Sequence, residues 1–162
     1  SPFYVIAPGA RWKTKQWLPD RFAEVASRLE GFSLIIGSNS DRFIGEKICE
    51  ISKEGSINLA GDTSIEDLIL LIRHAKAVIS NDTGPMHIAA ALNKPVVAIF
   101  GPTNPTRTGP YGKNCRVLIP KIDCAPCYKK KCVKMNCMNH ITTNQVLDAL
   151  KDLLDNNNPE RF

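Results

Sequence analysis

The chain has 162 residues, 43% of them hydrophobic, which suffices for one domain with a sizeable core. Lys and Arg number 21 against 16 Asp and Glu, a net charge of +5 that suits an anionic ligand or surface without demanding nucleic acid. No apolar run is long enough to span a bilayer and no signal peptide is visible. The chain opens on Ser1-Pro2 without an initiator Met, so a portion of a longer, cytoplasmic protein is expected.

In chain order, Phe3-Tyr-Val-Ile-Ala7 is a short apolar run closed by Pro8-Gly9, which reads as a buried strand. Pro19 to Leu29 places Phe22, Val25, Ala26 and Leu29 at helical spacing. Leu34-Ile-Ile36 is a strand ended by Gly37-Ser38, and Asp41 to Ile51 is a helix with Phe43, Ile44, Ile48 and Ile51 on one face. Ile57 to Leu59 is a short strand. Thr63 and Glu66 read as a capping box ahead of Leu68, Leu71 and Ile72. Ala77-Val-Ile79 is a strand, Pro85 to Leu92 a helix with Pro in its first turn, and Val96 to Phe100 a strand. Arg116 to Ile119 makes a sixth strand, a Cys- and Lys-rich loop follows, and Thr143 to Leu154 is a last amphipathic helix.

Strands alternate with helices, and the strands are continuously apolar. That pattern predicts a parallel sheet covered on both faces: a single Rossmann-like, doubly wound α/β domain of about six strands. The domain is expected over residues 1–155, with the loop 123–140 inside it and residues 156–162 as a loose tail.

Ligands of such sheets sit outside the carboxyl ends of the strands. Asn81-Asp-Thr-Gly84 lies there, just before a helix whose first amides lack internal partners and whose dipole favours an anion. Gly84 lets a ligand approach the backbone, and Thr83 can donate a hydroxyl. Asp82 would repel a phosphate, so it caps the helix or accepts ligand hydroxyls. His87, one turn in, can donate to a phosphate oxygen or hold the loop. The same residues also make an ordinary N-cap with a turn, and His87 also fits a packed core. At the same edge "PGARWKTKQWLP" carries Arg11, Lys13 and Lys15, three cations that suit a diphosphate or simply a solvated loop. "GPTNPTRTGPYG" forms a third loop there.

Taken together, "PGARWKTKQWLPDRFAEVA", "NLAGDTSIEDLILLI" and "VISNDTGPMHIAAALNKPVVAIFGPTNPTRTGPYG" resemble, in order and spacing, the C-terminal half of the ADP-heptose:lipopolysaccharide heptosyltransferases, bacterial GT-B glycosyltransferases. The likeness runs from about Phe3 to about Leu153. It implies that this half binds the nucleotide-sugar donor. Lys15 would then bind donor phosphate, with looser help from Arg11. Thr83 and Gly84 would hold the diphosphate, Asp82 would receive hydroxyls of the sugar, and Met86 and His87 would complete the pocket floor. The implied reaction is an inverting displacement that needs no metal or other cofactor, heptose passing to the lipopolysaccharide inner core. The family's general base and most of its acceptor surface belong to an N-terminal domain outside this chain, so no catalytic residue is expected here. This chain alone should bind donor and transfer nothing. A GT-B transferase for another nucleotide sugar is the neighbouring alternative.

Cys124-x2-Cys127-x4-Cys132-x4-Cys137 has knuckle-like spacing and is a possible structural zinc site, with His140 as a substitute ligand. Lys129, Lys130, Lys131, Lys134 and Tyr128 lie among the cysteines, which opens a rival reading as a zinc-organised nucleotide- or nucleic-acid-binding module. The loop lacks the glycine usual between the second and third knuckle ligands and follows a complete domain, so no nucleic-acid partner is assigned. Such lysines also suit anionic lipid headgroups, a peripheral contact with the inner face of the inner membrane. Free thiols and a disulfide are the other states open to the cluster. Cys49 and Cys115 read as packing residues, His74 as a helix C-terminal surface residue. Trp17 is expected to pack against the helix that follows it, while Trp12 is free to stack on a base.

Overall fold

The computed structural model describes residues 2–157. Six strands form one all-parallel sheet: β1 (Phe3–Ala7), β2 (Phe32–Ile35), β3 (Ser56–Asn58), β4 (Val78–Asn81), β5 (Val96–Ile99) and β6 (Cys115–Leu118). Their spatial order is β3-β2-β1-β4-β5-β6. The expected doubly wound α/β domain is therefore formed. Its chain reverses direction across the sheet between β1 and β4, and a crevice opens at such a point between the loops that leave the two strands.

The helices are α1 (Pro19–Arg28), α2 (Arg42–Ser52), α3 (Ile65–His74), α4 (Gly84–Ala91), α5 (Pro105–Thr108), α6 (Asn136–His140) and α7 (Thr143–Asn156). Alternation along the strands feeds two separate apolar layers. Tyr4, Ile6, Ala77, Ile79, Val97 and Ile99 face a layer with Phe22, Ile48, Met138 and Leu150. Val5, Ala7, Val78, Val96, Ala98 and Phe100 face a second layer with Ile72, Met86 and Ala89. The central strands carry no polar face because helices cover both sides.

Several boundaries differ from the sequence reading for physical reasons. β4 continues past Ile79 through Ser80 and Asn81, both fully buried and paired with β5. The Ser80 hydroxyl donates to the Asn81 carbonyl and the Asn81 amide bonds to the segment after β1, so polarity does not end the strand. The cap of α3 is Ser64 with Asp67, not Thr63 with Glu66. Hydrogen bonds from the Ser64 backbone and hydroxyl hold the Asp67 carboxyl below its ordinary range. On α2 only Ile48 of the expected face is fully buried. Phe43 is 75% exposed and Ile51 44%, because the helix packs through Gly45, Ile48 and Ser52. The short helices α5 and α6 lie where only loop was expected. α7 extends to Asn156, and residues 158–162 of the expected tail lie outside the described residues.

Trp17 packs as expected. It is fully buried, meets Phe22 edge-on with ring centroids 5.0 Å apart, and donates its indole N–H to the Ile141 carbonyl at 3.0 Å. It thereby joins the first site loop, α1 and the start of α7. Trp17→Ala is expected to lower unfolding free energy by about 3–5 kcal/mol, measured by urea denaturation followed by circular dichroism.

Candidate functional site

The β1–α1 segment is not an open basic loop. Lys13–Lys15 form a 3-10 turn in which Lys15 N–H donates to the Trp12 carbonyl at 2.9 Å. Gln16 closes the loop by donating its side-chain amide to the Ala10 carbonyl at 3.1 Å. Asn81 fastens both ends of this segment to β4. Its Nδ2 donates to the Pro8 carbonyl at 2.7 Å, and its Oδ1 accepts from Trp17 N–H at 3.1 Å.

The next residue, Asp82, is tied in as well. Lys15 Nζ lies 2.8 Å from Asp82 Oδ2, with only 17% and 6% of the two side chains exposed. Thr103 Oγ1, from the third loop, donates to the same oxygen at 2.8 Å. The three loops that end β1, β4 and β5 thus meet at one carboxylate. Asp82 does not cap α4. Thr83 is the N-cap and makes no side-chain cap bond; Pro85 has no N–H and Met86 N–H donates to the Thr83 carbonyl at 3.2 Å, so it is the Gly84 N–H that is left for a ligand. Gly84 is exposed, and a Cβ built on it would meet nothing within 4 Å.

Beside this junction lies a cavity of about 860 Å³, within the range of small-molecule sites. Arg11 and Lys13 line one part, with Thr83 and Pro85 from the start of α4. Ile36, Ile44, Ile65 and Leu68 contribute apolar surface to the lining, and Ser38, Ser40, Asp41 and Thr63 contribute polar groups. Asp41 is held by the Ser38 N–H and hydroxyl at 2.8 and 2.7 Å. It lies so close to Gly9 that a Cβ there would come within 2.5 Å of its carboxylate. The chain needs glycine at position 9 for this approach.

Of the residues singled out in the sequence, Arg11 and Thr83 line the cavity, Lys15 and Asp82 form the ion pair beside it, and Gly84 opens the helix end. Met86 and His87 lie outside the lining of the cavity. Met86 is fully buried in the core layer with Ala7 and Ile36, so it backs the cavity wall without forming its floor. His87 is exposed on α4 and is not among the lining residues. It is also no core histidine. Asn81, Thr103 and Asp41 join the site through contacts that the sequence alone does not show.

Among the described residues, no three His, Cys, Asp or Glu side chains are placed to hold a metal ion. The apolar side of α6 draws Cys137 into the core against Gly101, whereas Cys124, Cys127 and Cys132 stay exposed and His140 points to solvent. Burial pushes the Cys137 thiol above its ordinary range, a backbone hydrogen bond at Met138 offsets part of this, and Cys127, Cys124 and Cys132 add to it. Burial also raises Cys49 and Cys115, which fits their reading as packing residues.

A doubly wound sheet with a nucleotide-sized cavity at its reversal point defines the Rossmann-like class. More specifically, residues 1–138 match glycosyltransferase family 9 (heptosyltransferase), and the chain belongs to that family. It is 34% identical to lipopolysaccharide heptosyltransferase 2 of Escherichia coli K12 over 94% of its own length and 47% of that protein. It is 42% identical to lipooligosaccharide heptosyltransferase 2 of Haemophilus ducreyi over 75% of its length and 38% of that protein. It superposes on the structure of E. coli ADP-heptose lps heptosyltransferase II with a TM-score of 0.84 at 32% identity, covering 96% of this chain and 47% of that one. The chain spans about half the length of these relatives.

Two measurements test the site. Asn81→Leu leaves the Pro8 carbonyl and Trp17 N–H unpaired in the interior. Chemical denaturation should show a loss of about 1–3 kcal/mol, and nucleotide affinity should fall with it. Timed alkylation read by mass spectrometry should label Cys124, Cys127 and Cys132 well before Cys137. Equal protection of all four would reinstate a shared ligand set.

Proposed function

We propose that this chain is the donor-binding half of a glycosyltransferase that moves heptose from ADP-heptose to the lipopolysaccharide inner core. The observation that carries the reading is the cavity at the sheet's reversal point, whose lining joins apolar side chains to the cations Arg11 and Lys13 and to the start of α4. The adenine occupies the wall of Ile36, Ile44, Ile65 and Leu68. The polar groups around Asp41 accept the ribose hydroxyls. The diphosphate lies toward Arg11, Lys13, Lys15 and the Gly84 N–H at the start of α4. Asp82, held by Lys15 and Thr103, faces the sugar hydroxyls. The ADP-heptose named for the E. coli relative supports this choice of donor.

The reaction is an inverting, metal-independent displacement at the anomeric carbon. As the bond to the leaving diphosphate breaks, charge grows on its terminal oxygens, where the loop cations and helix end already point. The general base and acceptor surface belong to the half outside this chain, so this half binds donor without transferring it. No helix among the described residues is long and apolar enough to cross a membrane. The enzyme works at the cytoplasmic face, and the exposed lysines of residues 129–134 suit peripheral contact with anionic headgroups.

Calorimetric titration with ADP-heptose, ADP and UDP-glucose tests the reading. ADP-heptose should bind in preference to UDP-glucose, and a chelator should make no difference. Preference for UDP-glucose would move the chain to a transferase for another sugar. Lys15→Ala should weaken ADP-heptose binding by about 1–3 kcal/mol, the scale for losing a charge-assisted hydrogen bond. Unchanged affinity in a folded variant removes Lys15 from the site.

A further inference from the structure

The basic segment after β6 is fastened onto the site. Cys127 and Tyr128 N–H both donate to the Pro102 carbonyl, at 3.0 and 2.8 Å. Asn104 N–H donates to Tyr128 Oη at 3.1 Å. Pro102 and Asn104 flank Thr103, the residue that holds Asp82. Downstream, Arg21 donates to the carbonyls of Asn139 and Ile141, which fixes the far end of the segment. These anchors carry Lys130 to the Trp12 ring. Its Nζ lies 5.2 Å from the ring centroid, and Lys15 Nζ lies 4.5 Å from the same centroid.

We propose that Lys130 is a second anion-binding residue of the donor site, which together with Lys15 grips the terminal phosphate of the nucleoside diphosphate. The inference rests on the donor-site reading above. Two ammonium groups share one indole, and the only carboxylate ion-paired with either among the described residues is Asp82, with Lys15. An indole face holds a cation without cancelling its charge, so a net positive charge is left to a ligand. Lys130 is not among the residues that line the main cavity. It shares the Trp12 ring with Lys15, which also stands outside the lining that carries the apolar side chains, so it serves the phosphate farther from the nucleoside. That phosphate gains charge as the sugar departs. Lys129 and Lys131 flank Lys130 in sequence, are exposed and make no aromatic contact among the described residues. The sequence shows three equivalent lysines, and only the fold selects one.

The test is calorimetric titration of the chain with ADP and with AMP. Lys130→Ala should weaken ADP binding five- to twentyfold and leave AMP binding within twofold. Lys130→Arg should recover most of the loss, and Lys129→Ala should change neither nucleotide. Unchanged ADP affinity in Lys130→Ala, with the wild type binding ADP normally, overturns this inference and leaves the donor-site reading intact. Equal losses for ADP and AMP overturn the assignment to the terminal phosphate. Failure of the wild type to bind either nucleotide removes the donor-site reading, and this inference with it.

Discussion

The carboxamide of Asn81 is the constraint on which the site depends. A crevice between two strand ends is a place only if the loops leaving those strands stay in register with each other. Asn81 is the last residue of β4, it is buried, and it uses both its donor and its acceptor on the segment leaving β1. An amide is suited to this task because it offers one donor and one acceptor at fixed separation. Buried away from water, neither bond is easily exchanged. From this joint follow the 3-10 turn at Lys13–Lys15, the reach of Lys15 to Asp82, and the arrival of Thr103 at the same oxygen.

The ion pair at that junction shapes what the site can attract. A buried carboxylate without a partner would be costly, and an unneutralised one would repel phosphate. Lys15 and Thr103 remove both problems while leaving the carboxylate next to the helix end. Cation and anion are then adjacent, which fits a ligand that itself joins phosphate to hydroxylated sugar.

The central strands β1 and β5 were legible because burial on both faces leaves nearly uninterrupted apolar runs. The start of α4 was legible because Thr, Gly and Pro at a helix mouth have few other uses. The rest depended on neighbours that a linear reading does not supply. Phe43 and Ile51 have the spacing of a core face, yet α2 meets the rest of the fold through Gly45 and Ile48. Met86 sits beside the ligand-facing residues in sequence, but helical geometry turns it inward. The end of β4 was hidden because Ser80 and Asn81 are polar. The cysteine spacing suggested a metal, whereas α6, too short to show a helical period, commits Cys137 to packing beneath Gly101.

The exposed segment 127–134 is tied down at both ends through main-chain carbonyls, with Met138 and Ile141 set in the core behind it. The carbonyl of Pro102 receives the amides of Cys127 and Tyr128, while the carbonyls of Asn139 and Ile141 receive donors from Arg21 and Trp17. Backbone attachment is indifferent to most side-chain identities. Apart from Tyr128, whose hydroxyl accepts from Asn104 N–H, and Lys130 over Trp12, the exposed stretch can therefore be rewritten residue by residue, altering charge, bulk or thiol content at the rim of the site, while the sheet beneath keeps its shape. The scaffold and its rim are in this sense separately heritable: one is free to drift with the compound to be recognised, the other is not.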